Sequence, residues 1–254
     1  MAAKSHAYCV PRRGSSRAEY EDAVAVDEAA GRYALADGAT ESSFAQSWAQ
    51  LLVEGFVACG RDAGERWPAP LGQLQRRWRE AVPSGPVPWF AEAKLAEGAF
   101  AAFLGVILAG GTAAEPHRWQ AAAVGDVCLF HVRDGRLLSA FPIQRAADFH
   151  SAPRLLGSRD GEQYWQQQAL YRQGRALTGD RLWMMTDALA HWFLAEHEAG
   201  QTPAVEICAA LGDRAGENGG EESFAAWIEQ LRNAHRIAND DVTWLALEVL
   251  GKDD

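Results

Sequence analysis

A chain of 254 residues, 48% hydrophobic and 23% charged, holds enough apolar material for one large globular domain or two small ones. The formal net charge of −10 argues against a partner such as a nucleic-acid backbone, and Arg76, Arg77 and Arg79 on one short helix are too few to reverse it. Four scattered cysteines, Cys9, Cys59, Cys128 and Cys208, form no C-x-x-C pair; they signal neither a disulfide framework nor a zinc knuckle and are expected as buried free thiols.

In chain order, short alternating or wholly apolar segments read as strands near Tyr8, from Asp22 and from Arg32 to Asp37. A helix is then expected, with Thr40 as its N-cap and Glu41 in its first turn, where the helix dipole favours an acid. Phe44, Trp48, Leu51, Leu52 and Phe56 share one face of it and are expected in the core. Residues 60–90, rich in Pro and Gly, read as an elaboration around a short basic helix rather than as a domain boundary. A second helix, "WFAEAKLAEG", leads into the apolar strand "AFAAFLGVIL", followed by "RWQAAAVGD" and by "VCLFHVRDGRLLSAF", two strand arms around an Asp134-Gly135 turn. Residues 143–165 look irregular and suit a flap. The strand "DRLWMMTD" precedes the helix "ALAHWFLAEHEAG", two further helices and a last strand, "DVTWLALEVL". Short links between successive strands imply antiparallel sheets, and the long amphipathic helices must cover their faces. A four-layer α-β-β-α sandwich, an α+β fold, is consistent with both demands, as other α+β layouts are. No stretch has the length and apolarity of a membrane span and the first residues lack a leader's apolar core, so a cytoplasmic protein without a membrane partner is expected.

Acids recur at the strand ends. Glu21 and Asp22 open one strand, Asp37 closes another, Asp126 follows "AAAVG", Asp187 follows "LWMMT", and Asp240 with Asp241 opens the last. Asp37-Gly38 is no hairpin turn, because a helical pattern and not a second strand arm follows it. Carboxylates brought together raise one another's pKa unless a cation neutralises them, and hard divalent ions take oxygen ligands. The chemical reading is a magnesium or manganese site.

The series R-x-x-x-E-D, A-D-G, V-G-D, T-D and D-D-V-T, each at such a strand end, resembles the metal-dependent type 2C Ser/Thr protein phosphatases, in bacterial form, from about Gly14 to Val249. The resemblance implies a single phosphatase domain over residues 1–254 and hydrolysis of phosphoserine or phosphothreonine by a hydroxide bridging two manganese or magnesium ions. Arg17 would contact the substrate phosphate, Asp37 would bridge both ions, and the Gly38 carbonyl, Asp187 and Asp240 would complete the ligands. Asp126 would hold a third, weaker ion together with Asp187, while Glu21 and Asp22 would act through bound waters. The expected partner is a phosphorylated protein, the expected state a monomer. Ala39 and Thr40 stand where the family has glycines, Val127 replaces a serine, Ala188 a glycine and Tyr20 an asparagine. Substrate handling is where these departures act. They leave two alternatives open: a non-catalytic phosphoprotein-binding module on the same fold, and a phosphatase of small molecules.

Two divalent ions would supply what phosphate monoester hydrolysis lacks, a strong nucleophile and a sink for charge on the phosphoryl oxygens. Arg17 offers a planar fork of donors for those oxygens. No Ser, Cys or His nucleophile is needed. His191 and His197, six residues apart on a helix, do not share a face and are not a ligand pair.

Overall fold

A computed structural model describes residues 2–39, 44–59, 71–82, 95–111, 115–150, 153–212 and 220–251. Eleven strands lie among them: β1 (Ala3–Val10), β2 (Ala23–Asp27), β3 (Arg32–Gly38), β4 (Phe100–Ala109), β5 (His117–Val124), β6 (Cys128–Arg133), β7 (Arg136–Phe141), β8 (Leu156–Gly157), β9 (Leu170–Ala176), β10 (Arg181–Met185) and β11 (Val242–Val249). The described helices are α1 (Ala45–Ala58), α2 (Leu71–Ala81), α3 (Glu162–Gln168), α4 (Asp187–Glu198), α5 (Pro203–Leu211) and α6 (Gly220–Asn233).

One sheet runs β1-β11-β10-β6-β7 and the other β2-β3-β4-β5-β9, with β8 beside β4; every pairing is antiparallel. Strand alternation sorts the residues into layers. Between the sheets lie Leu35, Leu104, Val106, Leu129, Leu182, Met184, Leu245 and Leu247. The other face of the first sheet meets α4, α5 and α6 through Phe130, Trp183, Phe193, Phe224 and Trp244. The outer face of the second meets α1 and α2 through Trp48, Leu52, Phe56, Trp78 and Phe103. The expected four-layer α-β-β-α sandwich is therefore what forms. Close approach of α1 depends on Gly105, where a Cβ would stand 2.5 Å from the Phe56 ring.

Three local expectations change. Helix α1 starts at Ala45 with Phe44 in the cap position at φ 61, so Thr40, outside the described residues together with Glu41, is not its N-cap. This left-handed backbone turns Phe44 out of the core, leaving it 41% exposed. The cysteines are all free, but only Cys128 is buried outright; Cys59 and Cys208 are half-buried and Cys9 is exposed. Strand β9, at a sheet edge, has polar outer residues in place of the apolar alternation that marks the central strands.

Of the elaboration at residues 60–90, α2 is described, and its Arg76, Arg77 and Arg79 face solvent. The remainder, like most of "WFAEAKLAEG", lies outside the described residues. Within residues 143–165 the chain forms a 3-10 turn at Ala146–Asp148, pairs β8 with β4, and enters α3. Asp134 and Gly135, at φ 49 and 74, make the tight β6-β7 hairpin.

Candidate active site

The strand ends that carry acids meet at one edge of the sandwich. Asp37 sits at the end of β3, paired with Ala102 of β4, and Gly38 packs so closely that a Cβ would stand 2.8 Å from the Glu21 carbonyl oxygen. Asp126 follows Gly125, which has φ 97 and lies where a Cβ would come within 2.6 Å of the Ala102 methyl. Only glycine makes this turn without strain, and the turn sets Asp126 at the start of β6. Asp187 opens α4 after Thr186, its own Ala188 N–H donating to Oδ1. Asp240 and Asp241 precede β11, the neighbour of β10.

Hydrogen bonds stitch these ends together. Thr243 Oγ1 donates to Asp22 Oδ2 at 2.6 Å, and the Thr243 N–H donates to Thr186 Oγ1 at 2.9 Å. Tyr20 extends its hydroxyl to Asp22 Oδ2 and the Val242 carbonyl, both at 3.3 Å, and touches Thr243 Oγ1. Asp241 accepts from the Arg12 N–H at 2.7 Å and the Glu21 N–H at 2.9 Å. Arg232 of α6 donates to the Asp240 carbonyl at 2.6 Å and to that of Pro11 at 3.0 Å. Tyr20, Thr186, Arg232 and Thr243 were not among the sequence-derived site residues. A buried threonine beside an acid at a strand end is a local signal, but its partner lies more than 200 residues away.

The electrostatics show a crowd of acids short of positive charge. Burial, then Asp22, Asp187, Asp126 and Asp240, hold Asp37 well above the usual carboxylate range. Burial, opposed by the Thr243 bond and helped by Asp241 and Asp187, pushes Asp22 up to about 8. Burial with Asp126 and Asp240 takes Asp187 to about 7, and burial, opposed by a backbone bond and joined by Asp240, takes Asp126 to about 6. Asp22 Oδ1 is sealed from solvent with no donor, its neighbour being the Asp37 carboxyl. Two such acids can meet only by sharing a proton or a cation.

The donor set is therefore all hard oxygen, under-neutralised and half sealed, which fits a divalent ion. Among the described residues, however, no three or more His, Cys, Asp or Glu side chains stand ready around one point to hold a metal. Arg17 occupies an exposed 3-10 turn, Arg17–Glu19, that leads directly into Tyr20, Glu21 and Asp22. His191 and His197 are exposed on α4, remote in role from the acids.

This architecture is a fold shared with solved serine/threonine phosphatases. The chain is similar to the catalytic domain of serine/threonine protein phosphatase PstP in complex with two manganese ions, at 20% identity over 98% of this chain and 99% of that one, with a TM-score of 0.62. The Mycobacterium tuberculosis phosphatase PstP/Ppp matches at 19% identity over 98% and 100% of the two chains (TM-score 0.63), and PppA, a regulatory component of the T6SS of Pseudomonas aeruginosa, at 18% over 98% and 99% (TM-score 0.58). No family model and no curated protein matches the chain.

Proposed function

We propose that the chain is a divalent-metal-dependent phosphatase acting on phosphoserine or phosphothreonine in proteins. One observation carries this reading: Asp22, Asp37, Asp126 and Asp187 come from distant parts of the chain to one cleft edge, and each is pushed upward by burial and by its neighbours. Structural costs of that kind persist where a ligand relieves them. The similarity to a fold solved with two manganese ions supports the same conclusion.

Asp37, the Gly38 carbonyl, Asp187 and Asp240 would hold two manganese or magnesium ions, and Asp126 with Asp187 a third. Such ions neutralise the acids, lower the pKa of bound water and absorb charge on the phosphoryl group. The protein's own residues do the positioning. Thr243 and Tyr20 fix Asp22, Asp241 ties Glu21 to the turn before β11, and Arg232 anchors the Asp240 carbonyl. Arg17, on the exposed turn just before Glu21 and Asp22, would offer its guanidinium fork to the phosphate. Ala39 has no proton to give, so protonation of the leaving oxygen falls to water.

The test is hydrolysis of p-nitrophenyl phosphate and a phosphothreonine peptide with manganese, magnesium or a chelator. Turnover is expected only with a cation, and Asp37→Asn should lower it on the order of 100-fold or more. Silence with every divalent ion would refute the proposal.

A second reading, a phosphoprotein-binding module without turnover, draws on the lack of a ready metal-holding group among the described residues and on Ala39, Val127 and Ala188. Calorimetry separates the two: the binding module gives phosphopeptide binding at saturating manganese with no release of phosphate.

A further inference from the structure

At the end of the first sheet opposite the acids, register places three rows across β1, β11 and β10 on the helix side. Lys4, Glu248 and Arg181 make the first, His6, Ala246 and Trp183 the second, and Tyr8, Trp244 and Met185 the third. The third row lies under α6, where Tyr8, Trp244 and Phe224 interlock, with ring centroids 4.9 Å apart for Tyr8–Trp244 and 5.7 Å for Phe224–Trp244. In the second row an alanine sits between two rings. A cavity of about 220 Å³ opens over it, walled by Cys208, Leu211 and Gly212 at the end of α5.

We propose that this cavity binds a small organic carboxylate with a flat apolar body. Its floor, Ala246 flanked by the largely buried Trp183, Tyr8 and Trp244, is apolar, which suits the apolar body of such a ligand. Its rim carries two cations, Lys4 and Arg181, against one acid, Glu248, on a chain whose formal charge is −10. Arg181 directs Nη1 to the Cys208 sulfur, 2.8 Å away, and among the described residues neither cation forms an ion pair with Glu248. Two nitrogens of the lining residues, His6 Nε2 and Trp244 Nε1, are sealed from water without a hydrogen-bond partner. A buried donor left in this way is costly; Trp244 Nε1 always carries a proton and His6 Nε2 does in one tautomer, so a bound carboxylate within reach would supply the missing acceptor. A carboxylate fits better than a doubly charged phosphate, since one delocalised charge balances the net rim charge of one. Nothing in this proposal depends on the acids at the other end of β11 or on the phosphatase reading.

The probe is 2-naphthoate, with 2-naphthamide as its neutral counterpart, titrated calorimetrically into the full chain. Binding of the acid and not of the amide is expected. Ala246→Leu fills the floor and should abolish it, whereas Lys4→Ala and Arg181→Met should each weaken it about 5- to 10-fold by removing one rim charge. Melting curves establish that each variant is folded. Should Ala246→Leu not fold, Lys4→Ala, an exposed change, and Arg181→Met carry the test. The proposal is overturned by absence of binding, by equal binding of the amide, by unaltered binding in the folded variants, or by displacement with a phosphothreonine peptide, which would place the probe among the acids.

Discussion

Tyr20 shows how one side chain conditions the site. Burial, with Asp22 and Cys9 close by, drives its phenol far above the ordinary tyrosine range, so it stays protonated and acts as a donor. Its hydroxyl and that of Thr243 share Asp22 Oδ2, turning that oxygen away while Oδ1 is left without a donor. Tyr20→Phe keeps the ring and removes the proton. We expect manganese affinity to fall about 10-fold, the effect of losing a hydrogen bond that orients a ligand, and stability to drop by about 1 kcal/mol. Calorimetry with manganese and a melting curve measure the two, and an unchanged affinity would leave Tyr20 a packing residue. Asp37→Asn differs in kind, since it removes the carboxylate that faces Asp22, Asp187, Asp126 and Asp240 together.

Elements reach the cleft through their ends, and α6 reaches it through Arg232. This arginine, 5% exposed, holds the carbonyls of Asp240 and Pro11 while pairing with Glu229 at 2.7 Å. It thereby fixes the turn before β11 against the segment after β1. Arg232→Met fills similar volume without the donors. The expected result is a loss of about 2 to 4 kcal/mol, because two part-buried carbonyls lose their donor while Glu229 keeps Arg13, together with weaker manganese binding. A denaturation curve beside a metal titration reads both. Retained affinity in a destabilised variant would confine Arg232 to folding. Elsewhere pattern was a poor guide to ends: Phe44 matches the apolar face of α1 by spacing, yet its positive φ sends it outward. Edge strand β9 lacks the apolar alternation that revealed the central strands.

Across the whole molecule the two sheets are tied at the end away from the acids by Asp180, in the turn between β9 and β10. It accepts from Arg133 Nε at 2.6 Å and the Leu177 N–H at 2.8 Å and pairs with His131 at 2.8 Å, whose ring meets Trp119 of the opposite sheet edge-on. Burial alone would raise its pKa, but these partners bring it down to about 2. A carboxylate depressed in the folded state stabilises it above the unfolded pKa, near 4, and that stability is lost as pH falls through 4 toward 2. Allowing for the partly exposed Arg133, the contribution is on the order of 1 to 2 kcal/mol. The melting temperature of the wild type should therefore fall over that window, and Asp180→Asn should lower it at neutral pH and flatten the acid slope. A parallel fall in both proteins would assign the acid sensitivity to other groups.

Hydrophobic periodicity was enough to find most strands and the long helices, because alternation and 3.6-residue spacing are local consequences of which face is buried. The recurrence of acids at strand ends was equally local, and from it the candidate acids were legible, while the order of elements allowed the layered sandwich among other α+β layouts. What the linear chain leaves open is which acids face one another, since that depends on strand order and on the stacking of two sheets. Asp240 and Asp241 are adjacent and chemically identical, yet folding ties Asp241 to the Arg12 and Glu21 N–H groups while Asp240 contributes to the charge crowding around Asp37. Thr243 and Arg232 acquire their roles in the same way, through partners on remote strands and turns. Sequence alone determined the kinds of residue available and the elements that carry them. Tertiary structure decided their pairing, because burial and like-charge repulsion are properties of distances that only the packed sheets define.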